Sequence, residues 1–393
     1  MNHSRDRVSR TVAQIALSAI MDMSLRAARE PGAVSLAWGL PSFRTPAHVR
    51  AVVQAALDAD ADAGKYTLGD GLPELRAAAA REHFAATGVA VDADGQVLIT
   101  AGNMEGLNVL FHALLNPGDG VIVTDPGFVS HIHQIELCGG RAIGWRLDES
   151  RGWALDLDAL PALIDERTKA ILLVTPSNPT GRIFTEQELR HVGEIARERN
   201  LLVLLDDPYR HFTYENRARY FNLASVPELA AHVVYLFSFS KCYAMSGWRL
   251  GYLVAPPGLK RALMKVHDAT VLCAPRVSQL AGVAALTGPR DHLREFGQAL
   301  ALRRERICAR LDRVPHVFGY ARPEGAYYVF PRIVARHVSS TEFADRLLRD
   351  VKVGVTPGSA FGAAGEHHVR MAFCVEEREI DIAFDRIEAE FPH

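Results

Sequence analysis

The chain has 393 residues, 48% hydrophobic and 23% charged, enough for one large domain and a smaller one in an ordinary globular protein. A formal net charge of −2 gives no electrostatic case for nucleic acid or an anionic membrane, and no apolar run approaches transmembrane length. The five cysteines are scattered without metal-ligand spacing, and the N-terminus lacks an apolar core of signal-peptide length. The expectation is a cytoplasmic protein with reduced thiols and no metal.

One amphipathic segment is predicted around residues 15–28. Residues 34–46 follow as an irregular extended stretch containing Trp38, Gly39, Pro41 and Pro46. Taken alone it reads as a linker; the functional alternative is a segment passing a ligand, with Gly39 letting the backbone come close. Helices are predicted over 48–59 and 72–84, with the glycine-flanked loop 65–71 between them, carrying Tyr66.

From residue 97 the pattern becomes an alternation of strands and helices. A short strand at 97–100 leads through Ala101-Gly102-Asn103-Met104 into a helix marked by Leu107, Leu110, Phe111, Leu114 and Leu115. The backbone N–H groups of Gly102, Asn103 and Met104 would point out of that helix N-terminus, an arrangement suited to phosphate. Further strands are predicted at 121–123, closed by Asp125-Pro126-Gly127-Phe128, at 170–174, followed by Ser177-Asn178-Pro179-Thr180-Gly181, and at 201–205, ending in Asp206-Asp207-Pro208-Tyr209. A helix over 186–199 precedes the last of these. Strands that are apolar throughout and alternate with helices imply a parallel sheet covered on both faces, with ligands beyond the carboxyl ends of the strands. Thr100, Asn178 and Asp206 all lie at or just past such ends.

The stretch that organises the rest is Ser238-Phe239-Ser240-Lys241, ending the apolar run 233–237, with Arg249 downstream after a glycine-containing turn. A lysine just past a buried strand is partly desolvated, which lowers its pKa and leaves a neutral amine able to form a Schiff base. A serine hydroxyl and an arginine fork beside it suit a phosphate, so the chemistry suggests pyridoxal phosphate. Beyond residue 275 the chain reads as mostly helical to about 314. The predicted elements then become a strand at 325–330, a helix at 340–350, a strand at 369–373 and a helix at 376–390.

In combination, Y-T-L-G-D-G-L-P-E-L-R, S-N-P-T-G, D-D-P-Y, S-F-S-K with Arg249, and V-T-P-G-S-A-F-G before V-R-M-A-F make the chain resemble class I/II pyridoxal-phosphate-dependent aminotransferases of fold type I, the aspartate aminotransferase superfamily. The resemblance runs from about residue 32 to the C-terminus. It implies an α/β fold: a large domain over 45–285 with a mostly parallel sheet sandwiched by helices, and a small α+β domain built from 1–44 and 286–393. It implies that Lys241 holds the cofactor and shuttles a proton, that Asp206 pairs with the pyridine nitrogen, and that Tyr209 and Asn178 hydrogen-bond its ring oxygen. Phe128 would stack on the ring. Gly102, Asn103, Met104, Ser238, Ser240 and Arg249 would surround the phosphate, joined by Tyr66 from the neighbouring subunit of a homodimer with shared sites. Arg370 would hold the substrate carboxylate, helped by Gly39.

The activity implied is ping-pong exchange of an amino group between an L-amino acid and a 2-oxo acid. Met104 stands where some relatives with dicarboxylic substrates carry lysine, and with Trp38 it would make an apolar pocket wall, favouring aromatic or large aliphatic substrates. Asp268 and Arg276 lie in a segment that in relatives projects toward the neighbouring site. The same fold also carries carbon–sulfur β-lyases, biosynthetic oxidases and cyclases, and effector-sensing regulators. The regulators resemble this chain only after an N-terminal DNA-binding domain, for which the stretch before Gly39 is too short.

Overall fold

The apolar runs of the first two-thirds of the chain assemble into one sheet. The computed structural model describes residues 7–214, 220–335 and 337–392. Among these, Val233–Ser238, Leu202–Asp206, Thr168–Val174, Gly120–Asp125 and Arg141–Asp148 lie side by side in that order, every adjacent pair parallel. Gly251–Val254 pairs antiparallel with both Val233–Ser238 and Val97–Thr100, so Val97–Thr100 runs in the same direction as the parallel set. Ala154–Leu155 closes the opposite edge in antiparallel register with Arg141–Asp148. The sheet is therefore mostly parallel, and the chain has an α/β fold.

Alternate side chains of the central strands enter two separate cores, which is why those strands carry no polar face, unlike Arg141–Asp148, whose Arg141 and Arg146 are exposed. Val97, Ile99, Ile122, Ile171, Leu173, Val203 and Leu205 belong to one cluster, and Leu98, Val121, Val123, Leu172 and Leu204 to the other. The helix Asn103–Leu114 covers the second cluster with Leu107, Leu110 and Phe111, while Pro73–Thr87, Glu186–Glu198 and Arg276–Thr287 cover the first. Each fully buried aliphatic contributes roughly 1.5–3 kcal/mol. The parallel strands all end at one edge, which brings Thr100, Asp206 and Ser238 to the same side of the molecule.

The remainder of the chain packs beside that edge. Val34–Ser35 pairs in parallel with Val353–Gly354, and Val369–Ala372 lies antiparallel between Tyr328–Val329 and Thr356–Pro357. The strand expected over 325–330 is confined to Tyr328–Val329. Its first residues are drawn elsewhere: Gly325 donates from N to the Gly181 carbonyl at 2.8 Å and Ala326 to that of Phe212 at 2.9 Å. The amphipathic stretch expected at 15–28 is a helix, Ala19–Arg29, preceded by a separate turn, Arg10–Gln14. The helical region after 275 is Arg276–Thr287 and Asp291–Leu311, broken at Gly288-Pro289, where proline disfavours helix in the residue before it. The helix expected over 340–350 is Ser340–Arg346 followed by a wider turn, Leu347–Val351. Among the described residues no helix is long and apolar enough to cross a membrane.

Candidate active site

A cavity of about 240 Å³ opens beyond the carboxyl ends of the parallel strands. Lys241 enters it from a single helical turn, Phe239–Cys242, capped by the Ser238 hydroxyl, which accepts from Ser240 N at 3.2 Å. The strand ending at Ser238 thus aims the lysine, and Lys241 Nζ donates to the Gly39 carbonyl at 2.9 Å. Burial pushes the amine down from its usual 10.5 to about 8; the cations Arg370 and Arg249 act in the same direction, while Cys374 and Asp206 oppose them.

Asp206, the last residue of its strand, is buried on the cavity wall with both carboxylate oxygens engaged. Oδ1 accepts from Asn103 Nδ2 at 2.7 Å, and Oδ2 lies 3.2 Å from His131 Nε2. The His131 ring stands edge-on to Phe128, centroids 5.1 Å apart, and Phe128 lines the cavity. Tyr209 shares a 3.0 Å hydrogen bond with the hydroxyl of Tyr328. Burial, reinforced by Tyr328, holds the Tyr209 phenol far above its usual pKa, so it is a neutral hydrogen-bonding group.

Arg370 is 1% exposed. Nη1 donates to Asn178 Oδ1 at 3.0 Å and Nη2 to the Ala37 carbonyl at 2.6 Å, and the guanidinium lies over the rings of Tyr328 and Phe361 at 4.6 and 4.9 Å. Among the described residues no carboxylate pairs with it, and its Nε has no partner. A buried cation without a counter-ion is costly, and an anionic ligand in the cavity would offset that cost.

On another side, the cavity meets the start of the helix Asn103–Leu114, with Ser238, Ser240, Ser246 and Arg249 nearby. Gly102 caps that helix at φ 80°, and a Cβ there would fall 2.6 Å from Arg249 Nη2, so only glycine leaves the helix N-terminus and the arginine this close. Gly102 itself sits behind the cavity lining. Arg249 is exposed, with Nη1 donating to the Ser246 carbonyl at 2.9 Å. Ile20, Trp38, Met104, Leu107 and Val174 give the rest of the wall an apolar character.

The structure thus brings Trp38, Gly39, Asn103, Met104, Phe128, Asn178, Asp206, Tyr209, Ser238, Ser240, Lys241, Arg249 and Arg370 to one cavity. Tyr66 is outside it, 77% exposed. Asp268 is exposed on the helix Lys260–Thr270, and Arg276 pairs with Asp60 at 2.9 Å; neither lines the cavity. The sequence reading did not assign the lining residues Ile20, Leu107, Val174, Pro208, Ser246 and Tyr328 to the site, nor His131, which supports it. His131 sits one helical turn after Phe128, a spacing that could have flagged it. Tyr328, beside Tyr327 in an aromatic strand, carried the signal of an apolar core residue. Ile20 carried none, because only tertiary packing brings its helix to the cavity.

The arrangement joins a buried carboxylate, an amine neutral above about pH 8, and a helix N-terminus with serines and an arginine. That set fits a phosphorylated aromatic aldehyde, the chemistry of pyridoxal phosphate: a cation site for the phosphate, a nucleophile for the aldehyde and an anion for a ring nitrogen.

Comparison with known proteins agrees. The family model described as aminotransferase class I and II matches residues 32–387. The chain is 33% identical over 383 residues to an aspartate aminotransferase of Pyrococcus horikoshii, covering 97% of this chain and 96% of that one. It is 32% identical over 361 residues to aromatic-amino-acid aminotransferase 2 of Thermococcus litoralis, covering 91% of each. A single mutant of Thermus thermophilus aspartate aminotransferase superposes with a TM-score of 0.91 at 29% identity, covering 98% of this chain and 99% of that one.

Proposed function

The chain belongs to the class I and II aminotransferase family, and from that membership we propose how the residues of its cavity divide the work of amino-group transfer. It is a pyridoxal-phosphate-dependent enzyme of fold type I that moves an amino group from an amino acid to a 2-oxo acid. When bound, the cofactor supplies an aldehyde to receive the amino group and a ring that accepts the electron pair left on the substrate α-carbon.

Lys241 is assigned as the residue that holds the cofactor and then moves the proton at the substrate α-carbon. Its place on the same cavity as Asp206 and its lowered pKa support this role. Asp206 is assigned to the ring nitrogen, because it is the buried carboxylate of the cavity and is held by two side chains. Tyr209 and Asn178 orient the ring oxygen, Phe128 stacks on the ring face, and Gly102, Asn103, Met104, Ser238, Ser240 and Arg249 receive the phosphate. Arg370, with Gly39 beside it, takes the substrate α-carboxylate; its lack of a carboxylate partner among the described residues is the single observation that best carries the reading. Tyr66, exposed in its own chain, completes the phosphate site of a second copy, so the working unit is a homodimer with shared sites, placed in the cytoplasm. Residues 45–285, which hold the sheet, form the cofactor-binding domain, with 1–44 and 286–393 as the small domain.

The preferred amino donor is aromatic or large aliphatic. Arg370 serves every amino acid alike, so discrimination falls to the walls. Ile20, Trp38, Met104 and Leu107 present apolar surface, each Å² of which is worth about 25 cal/mol when removed from water. Among the described residues, a second carboxylate would meet no cation lining the cavity beyond those already assigned, and would lose its hydration. Relatives of similar identity are named for aspartate and for aromatic amino acids, so identity does not choose between them. The test is kcat/KM for phenylalanine, leucine, aspartate and arginine under one condition. Phenylalanine or leucine should lead by about one to two decades; aspartate or arginine leading by tenfold would overturn the preference and leave amino-group transfer standing.

A further inference from the structure

Asp206 is held by two neighbours of different character. His131 approaches Oδ2 at 3.2 Å, whereas Asn103 donates from Nδ2 to Oδ1 at 2.7 Å, the shorter contact. The Asn103 amide is oriented at a cost. Its own Oδ1 is buried without a partner, yet turning the amide over would set that oxygen against the carboxylate. The room for the amide comes from the sheet edge. Gly251 pairs with both Thr100 and Ser238, and a Cβ on it would fall 2.6 Å from Asn103 Oδ1. A residue whose backbone starts the helix at the phosphate end of the cavity thus reaches with its side chain to the carboxylate at the ring end.

We propose that the Asn103 carboxamide is a positioning residue for Asp206, fixing the carboxylate in rotation so that its free lone pairs face the cavity where the cofactor ring nitrogen binds. The inference rests on the assignment of Asp206 to that nitrogen. An ionised carboxylate has about four acceptor sites, and Asn103 and His131 occupy one on each oxygen, leaving capacity toward the cavity. Without the amide, Asp206 keeps one partner and can rotate away from the ring. Because the donor acts on a charged acceptor, its loss is expected to be felt more than that of a neutral hydrogen bond.

The test is a double-mutant cycle read by equilibrium binding rather than turnover. Cofactor-free wild type, Asn103→Ala, Asp206→Ala and the double variant are titrated with pyridoxal phosphate, and the dissociation constant is taken from protein fluorescence. Melting temperatures of the cofactor-free forms are measured alongside. Asn103→Ala keeps the helix N-terminal N–H, so phosphate contacts through the backbone survive. The expected result is about tenfold weaker binding for Asn103→Ala when Asp206 is present, and less than about twofold when Asp206 is already alanine. Asn103→Ser, too short to reach Asp206, should reproduce the first loss, and stands in for the alanine variant if that one melts early. An equal loss in both backgrounds, or none in either, would overturn the inference while leaving Asp206 in place. Unchanged binding by Asp206→Ala alone would remove Asp206 from the ring nitrogen, and the inference with it.

Discussion

Lys241 and Gly39 meet through a 2.9 Å hydrogen bond from Nζ to the main-chain carbonyl, and the Tyr327 hydroxyl donates to the same oxygen at 3.1 Å. The lysine is therefore held in place before any cofactor arrives, by the same extended segment whose Ala37 carbonyl anchors Arg370. One stretch of irregular chain registers both the amine proposed to hold the cofactor and the guanidinium proposed to hold the substrate carboxylate.

The lysine's state sets a pH dependence. Burial depresses the amine to about 8, so the neutral, nucleophilic form dominates above that pH and the protonated form below it. Covalent capture of pyridoxal phosphate by the cofactor-free protein should accelerate as pH rises through about 8 and then level off. Stopped-flow absorbance across the range would measure it. A rate still climbing toward the ordinary lysine value of 10.5 would contradict a desolvated amine.

Asp206→Asn replaces the buried anion with a neutral amide of the same shape. The ring nitrogen would lose the charge that keeps it protonated, and turnover should fall roughly 10²-fold or more, the scale of one positioned charged group. Steady-state kinetics at saturating substrate is the check. A near-normal kcat would take Asp206 out of the mechanism.

Shared sites make a prediction about mixtures. Lys241→Ala and Tyr66→Ala homodimers should each be impaired. In a mixed dimer, one site draws Lys241 from one chain and Tyr66 from the other and is complete. Activity should reappear on mixing under conditions that exchange subunits. If sedimentation shows a fully active monomer, or mixing recovers nothing while subunits exchange, sharing through Tyr66 is wrong.

Much of this site was legible because the strands are short, apolar and end in polar residues. Asp206, Lys241 and Asn178 stand at or beyond carboxyl ends, and parallel packing sends such ends to one place. Among the described residues, two strands of four or more residues passed unread for physical reasons. Arg141–Asp148 is half-exposed and mixes arginines with aliphatics, so it lacks an apolar run. Gly251–Val254 is a four-residue antiparallel insertion whose only cue is the brevity of G-Y-L-V after Arg249. The hydroxyl pair of Tyr209 and Tyr328, the placement of His131 on Asp206 and the arrival of Ile20 at the cavity depend on contacts distant in sequence, which periodicity does not encode. Tyr66 was singled out only through a family resemblance; its exposure in a single chain says nothing by itself of where it acts.

The most direct measurement follows the amino group. Wild type loaded with cofactor is mixed with phenylalanine carrying an isotopically labelled amino nitrogen, and the products of a single turnover are identified by mass spectrometry. The account predicts the label on the aminated cofactor, an equal amount of the 2-oxo acid, and neither product from Lys241→Ala. Label released as ammonium in place of aminated cofactor, or the same products at the same rate from Lys241→Ala, would contradict transfer through this lysine.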